Sequence, residues 1–499
     1  MTQTTYSSVK EHLQKIFDVQ ASIAVLNWDL ETHMPKGGAA QRSRQISTLS
    51  GIAHELVTDE TFKSKVRYLN EKLDGLSPEE SVNINETFKQ IERADKLDTE
   101  FVTRRSTIVS ETYQAWSKAK AEKSFKAYSE QLDKLIQLKK EEAERIGYEG
   151  HIYNALLEEF EPGMSSAMVD TIFDGVKQHL QPILKKINEQ EKPNDAFLYK
   201  HFDKDKQWDF GIDLLKNMGY DFNRGRQDIS VHPFSTGFGP DDIRVTTRIS
   251  ENNFSSMVWS CIHEGGHAVY EQGMLPENYG LPMGRYISLG IHESQSRLWE
   301  NHVGRSKAYW NYHFPKVKEI FPEQFAGISL DTFYAAANRI APSPIRTEAD
   351  ELHYHFHVLI RFEIEKALLE GSLKTADAEA YWNEKYKEYL GLDITDPNQG
   401  ILQDIHWSLG SFGYFPTYSI GSFYAAQFHA QAEKEIENLE AKTASGDHSE
   451  LLGWLQNKIY KHGMRDSAED LCKRITGEGL NYKYFEAYVQ KKYGALYNL

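Results

Sequence analysis

The chain has 499 residues, of which 40% are hydrophobic and 12% aromatic, so it is long enough to bury a large core. Its formal net charge of −16, with lysine and arginine scattered along the sequence, argues against nucleic-acid and anionic-membrane partners. Peptides or small molecules are the partners that this composition favours. No linker-like segment divides the sequence, and we predict a single domain over residues 1–499.

The cysteine content and the amino-terminal sequence bear on the compartment. Cys261 and Cys472 are the only cysteines, which argues against a disulfide framework and is typical of a reducing environment. The first residues are polar and lack an apolar signal core, and no stretch approaches the apolar length that spans a bilayer. We therefore expect a cytoplasmic protein.

Helical patterns dominate the first half of the sequence. Residues 7–27 predict an amphipathic helix, which Pro35 and two glycines end. Long charged helices then extend to about residue 147, another helical run reaches about residue 191, and further helices occupy residues 196–218. Mixed-sign charges along these helices are typical of solvated faces, so this half predicts architecture and no chemistry.

The pattern changes at residues 228–239, which are punctuated by glycine and proline and predict a loop. Residues 242–249 alternate and contain β-branched side chains, so they predict the best strand in the sequence. The edge of a short sheet at this place is suited to bind an extended peptide through main-chain hydrogen bonds. A small structural hairpin is the alternative, and the sequence leaves both open.

Residues 253–273 carry the pattern His-Glu-x-x-His inside a stretch with helical periodicity. An asparagine pair can cap the start, and Gly273 suits a left-handed residue past the end. Gly265 and Gly266 are adjacent within the pattern, where each glycine costs about 1 kcal/mol relative to alanine. Their presence predicts close packing or close approach of a substrate.

The motif predicts a zinc-peptidase helix. His263 and His267 lie on adjacent turns of one face, where two imidazoles can bind one metal ion. Glu264 lies beside them and can reach a water on that metal. Zinc lowers the pKa of such a water and polarises a scissile carbonyl, while a carboxylate takes the proton and passes it to the leaving amine. An ordinary amphipathic helix is the alternative.

Catalytic zinc usually has three protein ligands, so a third ligand is expected downstream. Glu293 lies 26 residues after His267, at the start of a second helical pattern, and completes a set of two histidines and one carboxylate. We assign Glu293 as this ligand, with His292 as the competing residue. Glu300, two turns further on, either orients a ligand histidine or lies on a solvated helix face.

Three histidines, His353, His355 and His357, alternate in the helical pattern of residues 351–366. A spacing of two places neighbours on different helix faces, so we predict no second metal site there. Residues 400–421 form a glycine- and aromatic-rich stretch, with polar groups that an ordinary loop would not need.

The motifs together resemble the thermostable carboxypeptidase Taq family of zinc metallocarboxypeptidases. The matching segments follow the family's order and are residues 232–234, 242–246, 263–267, 292–295, 345–350 and 400–407. Residues 28–38 and 153–163 resemble the family too, so the likeness extends from near the amino end to the last helix. No metal position departs from the family pattern.

The resemblance implies a mainly α-helical fold with two lobes around a deep substrate groove and one small β-sheet near the active site, similar to angiotensin-converting enzyme and neurolysin. It implies a carboxypeptidase that releases single amino acids from peptide C-termini with broad preference, usually as a homodimer. His263, His267 and Glu293 match the family's metal ligands, and Glu264 matches its catalytic glutamate. The implied cofactor is one zinc ion per chain, with cobalt as an alternative.

Further roles are assigned to residues near the family motifs. Arginine is suited to bind a free terminal carboxylate with two hydrogen bonds, and Arg346 is the first candidate, with Arg244 second. A structural ion pair is the alternative for each. The attacked carbonyl needs a donor besides the metal. Tyr354 lies where a similar helix of the converting-enzyme relatives carries such a tyrosine, Tyr418 is its alternative, and His406 is a candidate for binding the substrate backbone.

Two other functions stay open at this point. An oligopeptidase or dipeptidyl carboxypeptidase on the same scaffold would differ in where the groove is blocked and in how the carboxylate is anchored. A peptide-binding or metal-storing protein without activity is the third possibility. The presence of Glu264 argues against it, because holding zinc requires ligands and no base.

Overall fold

The computed structural model of the protein describes residues 2–499, most of which are helical. The first nine α-helices are α1 (Thr2–Thr32), α2 (Ala39–Val57), α3 (Glu60–Asn70), α4 (Pro78–Asp95), α5 (Thr99–Glu122), α6 (Lys126–Ile146), α7 (Tyr153–Leu157), α8 (Ser166–Asn188) and α9 (Lys204–Met218). The following helices are α10 (Phe254–Gln272), α11 (Leu289–Arg297), α12 (Lys307–Ile320), α13 (Leu330–Ala337), α14 (His353–Glu370), α15 (Ala378–Leu390), α16 (Pro416–Glu435), α17 (Leu439–Ala444), α18 (Ser449–Lys458), α19 (Ala468–Thr476) and α20 (Lys483–Tyr497). Between α11 and α12 the chain continues as a π-helix, Leu298–Gly304.

The prediction of a mainly α-helical fold is confirmed. The first helix is longer than the predicted 7–27, because Tyr6 and Trp28 near its two ends are both buried and extend its packed face. The end of the aromatic stretch at 400–421 is also helical, since α16 begins at Pro416, whose fixed φ suits the first turn of a helix. Among residues 2–499, no helix is both long and apolar enough to cross a membrane.

One small sheet lies beside α10. Its strands are β1 (Gln227–Ile229), β2 (Ser235–Gly237) and β3 (Ile243–Thr247), in the order β1-β3-β2. The strand predicted over 242–249 is β3, which pairs in parallel with β1 and antiparallel with β2. The prediction of a loop over residues 228–239 is wrong in part, because this segment contains β2 and most of β1. Three residues are too few for a detectable alternation, and pairing with β3 decides their conformation.

Two hydrophobic clusters form the lobes. The larger cluster contains most of the buried side chains of α6 to α20, including α10 and α11. The smaller cluster joins α1, α3 and α4 and is formed by Tyr6, Val9, Leu13, Ile16, Phe62, Val66, Leu69, Ile84, Ile91 and Leu281. A groove of about 1120 Å³ is lined by residues of both lobes, among them Phe17 of α1, Glu86 of α4, Ser235 of β2 and His292 of α11. The predicted arrangement of two lobes around a groove is present.

Helices α10 and α11 approach each other so closely that only glycine fits at their contact. A Cβ atom on Gly266 would lie 2.7 Å from Cα of Ser296 and 2.8 Å from the carbonyl oxygen of Gln295. From the other side, a Cβ on Gly421 of α16 would lie 2.7 Å from Cβ of Glu293. The predicted close packing of the glycine pair in α10 is therefore observed, and α11 is held between two glycine contacts.

We expect Gly266→Ala to destabilise the protein by about 1–3 kcal/mol, because the added methyl group overlaps backbone atoms of α11 that cannot rotate away. Denaturant unfolding measures the change in free energy. Gly453→Ala in α18 is the matched control: no atom lies within 4 Å of its Cβ position, so alanine there should stabilise by up to about 1 kcal/mol. Equal unfolding midpoints for Gly266→Ala and the wild type would contradict the packing argument.

Candidate metal centre

The three predicted metal ligands converge at the contact of α10 and α11. Nε2 of His267 lies 3.3 Å from Oε2 of Glu293, and Nε2 of His263 lies 3.6 Å from the same oxygen. One ligand atom from each residue lies within 4.8 Å of the others. Two imidazole nitrogens and one carboxylate oxygen form the ligand set of catalytic zinc sites, and they leave a coordination position for water or substrate. The residues present therefore fit one such ion.

The second ring nitrogen of each histidine has its own partner. Nδ1 of His263 lies 2.9 Å from Oε2 of Glu300, and Nδ1 of His267 lies 3.1 Å from the carbonyl oxygen of His292. Both contacts turn Nε2 towards the ligand cluster, as partners of metal-binding histidines generally do. Burial lowers the pKa of His267 to about 3, so this imidazole is neutral and free to donate a lone pair. Burial also acts to lower the pKa of His263. The negative charges of Glu293 and Glu300 outweigh this effect, and the pKa of His263 is raised to about 8.

Glu300 is buried in a network of charged side chains. Of the two alternatives for Glu300, a partner of a ligand histidine or a residue on a solvated helix face, the structure favours the first. Arg297 donates from Nε to Oε1 of Glu293 at 2.8 Å and from Nη1 to Oε2 of Glu300 at 3.0 Å. Arg305 donates to the other oxygen of Glu300 at 3.2 Å. Burial alone would raise the pKa of Glu293, but Arg297 and His263 hold it well below its usual range. The ligand carboxylate is therefore ionised.

His292, the competing third ligand, points away from the cluster. Its Nε2 lies 2.8 Å from Oε1 of Glu271, and its ring stacks on His267 with 4.3 Å between ring centroids. Tyr286 packs against the same imidazole at 4.5 Å. The geometry thus favours Glu293 as the ligand, while His292 supports the position of His267.

Glu264, the predicted base, is buried beside the sheet. The side chain of Ser235 on the edge strand β2 lies close enough to this carboxylate to favour its ionised form. Burial raises the pKa of Glu264 to about 7, although the neighbouring His263 works in the opposite direction. In the described part of the chain, residues 2–499, no lysine or arginine pairs with it. A carboxylate without a guanidinium partner keeps the basicity that proton transfer near neutral pH requires.

Four of the remaining predicted residues gather beside the metal ligands. Arg346 donates from Nη1 to the hydroxyl of Tyr354 at 2.9 Å, and the hydroxyl of Tyr418 lies 3.4 Å from Nε2 of His406. The rings of the two tyrosines are 6.0 Å apart, and Arg297 lies over the ring of Tyr354 at 4.8 Å. Arg297 thereby links this tyrosine cluster, defined as Arg346, Tyr354, His406 and Tyr418, to the metal ligands.

The guanidinium of Arg346 also forms an ion pair. Its Nε and Nη2 donate to Oδ1 of Asp404 at 3.0 and 2.8 Å. Arg361 binds the other oxygen of Asp404 at 2.6 Å. Two guanidinium groups therefore share one carboxylate. The three side chains together carry a net charge of plus one beside Tyr354.

Arg244 lies apart from the tyrosine cluster. On β3, its guanidinium pairs with Asp242 at 2.8–2.9 Å and packs over the rings of Trp28 and Phe238 at 4.3 and 5.0 Å. No contact with the tyrosine cluster occurs within residues 2–499. Its predicted role in substrate binding stays a prediction, and the ion pair that was the alternative is present.

The three alternating histidines of α14 have separate partners. His353 pairs with Asp350 at 2.6 Å, and His355 lies 3.0 Å from the hydroxyl of Ser419. His357 contacts the hydroxyl of Tyr386 at 2.9 Å and the carbonyl of residue 343 at 3.0 Å. The three imidazoles therefore contact three different sets of partners.

Sequence reasoning missed Arg297 and Asp404. Arg297 follows Glu293 by four residues and precedes Glu300 by three, which is the spacing of helical ion pairs, so a signal was present. Asp404 lies 58 residues from Arg346, and no local pattern connects them.

A His-Glu-x-x-His helix packed against a second helix that supplies a glutamate, within a helical two-lobed fold, defines a metallopeptidase. The chain belongs to the carboxypeptidase Taq (M32) metallopeptidase family, whose model matches residues 8–493. Carboxypeptidase 1 of Bacillus subtilis (strain 168) is 37% identical over 98% of this chain and 97% of the relative. The M32 carboxypeptidase from Deinococcus radiodurans R1 is 37% identical, with a TM-score of 0.97 over 99% of this chain and 100% of that chain. A solved structure described as that of CHT is 49% identical, with a TM-score of 0.97 over 98% and 99%.

We expect Glu300→Gln to weaken metal binding about 10- to 100-fold, because the neutral amide no longer holds Nδ1 of His263 as strongly. Competition with a chromophoric chelator measures the affinity. Glu370→Gln is the matched control, since Glu370 also pairs with a histidine, His151, at 3.0 Å but lies away from the metal ligands. Unchanged metal affinity in Glu300→Gln would rule out the orienting role.

Proposed function

We propose that this metal-dependent carboxypeptidase releases single amino acids from the C-terminus of peptides with broad preference, using Glu264 as general base and then general acid. The observation that carries the proposal is the convergence of His263, His267 and Glu293 beside a buried, unpaired Glu264. The oligopeptidase and dipeptidyl carboxypeptidase alternatives use the same chemistry. Cleavage of peptides with free and amidated C-termini distinguishes these alternatives from a carboxypeptidase. A protein that only binds peptide has no need for Glu264 at this place.

The proposed metal is one zinc ion per chain, held by His263, His267 and Glu293, with cobalt as an alternative. The mixed nitrogen and oxygen set supports this choice, because hard cations such as magnesium prefer oxygen ligands alone. When bound, zinc supplies Lewis-acid activation of a water molecule and of the scissile carbonyl.

Glu264 moves the proton in this proposal. Its carboxylate takes a proton from the attacking water and passes it to the leaving amine, so that both steps use one group. The side chain of Ser235 on the edge strand β2 lies beside this carboxylate, and Ser235 also lines the groove. The free edge of β2 is suited to pair with an extended substrate through main-chain hydrogen bonds, which do not depend on the side chain released. This arrangement supports broad preference.

Arg346 is the proposed anchor for the terminal carboxylate of the substrate, with Arg244 as the second candidate. The excess of one positive charge, from Arg346 and Arg361 on Asp404, supports this role, because an anionic ligand would neutralise it. Burial lowers the pKa of His406 to about 4, so it is a neutral imidazole that can bind the substrate backbone.

Tyr354 is the proposed donor to the oxyanion that develops on the attacked carbonyl. Its hydroxyl accepts from Arg346, which leaves its own proton free to be donated, and its neighbour Arg297 binds the ligand Glu293. Tyr418 is the alternative donor, with its hydroxyl beside His406. Burial raises the pKa of both phenols, so both carry their protons at neutral pH.

A cytoplasmic location and a homodimer complete the proposal. Cys261 and Cys472 are both buried free thiols, which supports a reducing compartment. The homodimer and the single catalytic domain over residues 1–499 stay predictions from the sequence.

We expect Glu264→Gln to keep its metal but to lose at least about 100-fold in kcat, because the amide cannot accept a proton. Mass spectrometry of a peptide with a free C-terminus should show stepwise loss of single residues by the wild type. The same peptide with an amidated C-terminus should resist cleavage. Internal cleavage of the amidated peptide would place the enzyme among oligopeptidases, and full activity of metal-loaded Glu264→Gln would reject the proposed base.

We expect Tyr354→Phe to lower kcat about 100-fold with little change in KM, because a donor to the oxyanion acts mainly in the transition state. Steady-state kinetics measures both constants. Tyr128→Phe is the control, since the buried hydroxyl of Tyr128 has no hydrogen-bond partner within residues 2–499. Undiminished turnover by Tyr354→Phe would remove this tyrosine and leave Tyr418 as the donor.

A further inference from the structure

Arg285 is a partly buried cation on the lining of the groove. It directly follows the helical turn Pro282–Gly284 and lies in the same lining as Tyr286 and His292. Its guanidinium forms no ion pair and no hydrogen bond with any residue of the described chain, 2–499. An arginine in such a position is unusual, because a buried cation is normally paired.

The other buried arginines of this region are all paired. Arg297 and Arg305 bind Glu300, and Arg346 and Arg361 bind Asp404. Burial lowers the pKa of Arg285, and only Tyr286 acts against it. The chain has 73 acidic residues against 57 basic ones, so acidic partners were abundant and this guanidinium has none. An unpaired cation kept in a cleft is typical of a binding site.

The carboxylates that share the groove have other partners. Glu271 pairs with His292 at 2.8 Å, and Glu159 lies 3.6 Å from Arg93. Glu158 accepts a hydrogen bond from a backbone N–H, that of Gly163, at 2.9 Å. Glu86 pairs with Lys89 at 2.7 Å, and Glu92 lies 3.9 Å from Arg67. Within residues 2–499 none of these carboxylates pairs with Arg285, so an incoming carboxylate would meet an uncompensated positive charge.

Two ring contacts relate Tyr286, the neighbour of Arg285, to the predicted metal ligand His267. His292 lies 4.3 Å from His267, and Tyr286, the neighbour of Arg285, lies 4.5 Å from His292. An extended peptide advances about 3.3 Å per residue, so the part of the groove at Tyr286 and Arg285 corresponds to roughly two to four residues of substrate from His267.

The direction along the substrate follows from the tyrosine cluster. With the terminal carboxylate at Arg346, the peptide ends there. The groove that Arg285 lines does not include that cluster, so it receives the residues before the scissile bond.

We propose that Arg285 forms a subsite that binds an aspartate or glutamate side chain of the substrate, about two to four residues before the scissile bond. The guanidinium can hold such a carboxylate with two parallel hydrogen bonds. The enzyme then prefers peptides with an acidic residue at that place, while the released residue itself is chosen loosely. This inference rests on the proposed carboxypeptidase function, which sets the direction of the peptide.

The test uses the zinc-loaded enzyme and peptides of equal length with free C-termini. Each peptide carries a single glutamate at the third, fourth or fifth residue counted from the C-terminus, which is two, three or four residues before the scissile bond, and a matched peptide carries glutamine there. The ratio of kcat/KM for the glutamate and glutamine peptides is measured in low salt for the wild type, Arg285→Ala and Arg285→Glu. Because each ratio is formed within one protein, differences in folding or metal content cancel.

We expect the wild type to prefer glutamate about tenfold at one position, as a charge-assisted hydrogen bond would give. Arg285→Ala should reduce the ratio to about one. Arg285→Glu should reverse it and prefer a lysine peptide at the same position. Arg44→Ala is the control for loss of charge, since Arg44 is exposed on α2 and, within residues 2–499, its side chain has no ion pair; it should keep the wild-type ratio.

Two results would overturn the subsite. One is a wild-type ratio near one at every position, and the other is an Arg285→Ala variant that loses the same factor on glutamate and glutamine peptides. Analysis of the products tests the proposed carboxypeptidase function independently of the subsite. If the products are internal fragments but the ratio still depends on Arg285, the subsite is supported and the exopeptidase function is rejected.

Discussion

The contact between α10 and α11 at Gly266 is the constraint on which the metal site depends. His263 and His267 are fixed to α10, so the position of Glu293 relative to them is set only by how closely α11 approaches. The absence of a side chain at Gly266 lets the backbone of α11 come within van der Waals distance, and Gly421 of α16 closes on Glu293 from behind. Packing between backbones is stiff, because no rotamer can relax it. The ligand geometry is therefore a property of helix packing.

The charges around this contact divide three buried glutamates into different roles. Glu293 and Glu300 both bind Arg297, which keeps the carboxylates ionised despite their burial. In the described range, 2–499, Glu264 has no such partner, and burial raises its pKa to about 7. The proposed roles of ligand, orienting acceptor and base thus fall to the same type of side chain according to whether a guanidinium lies next to it. Arg297 makes this division, since it binds two of the glutamates and not the third.

The sequence could predict those features that are determined by a pattern within a short stretch of residues, and not those that are determined by contacts between distant segments. The helical periodicity around His263 and the distance to Glu293 are local, and they pointed to three side chains that converge in the structure. The π-helix Leu298–Gly304 and the three-residue strands β1 and β2 carry no periodicity of their own. Gly273 shows a different failure. A left-handed residue was expected there, but its φ is −83° and the glycine is needed because a Cβ would lie 2.4 Å from the ring of Tyr460.

Charge pairs between residues far apart in the chain could not be predicted from the sequence either. These pairs distinguish arginines that share an acidic partner from an arginine that has none within residues 2–499. Arg346 and Arg361 share Asp404, so their net charge is one and their positions are held by a rigid triad. Such a site can bind one carboxylate without moving, which suits a group that every peptide carries at its end. Within residues 2–499 Arg285 has no acidic partner to hold it, so in the proposed subsite its guanidinium would be free to follow a side chain that only some peptides carry. In the proposed function, a fixed anchor for the terminus and an adjustable cation upstream would together allow loose choice of the released residue and selective choice of the peptide.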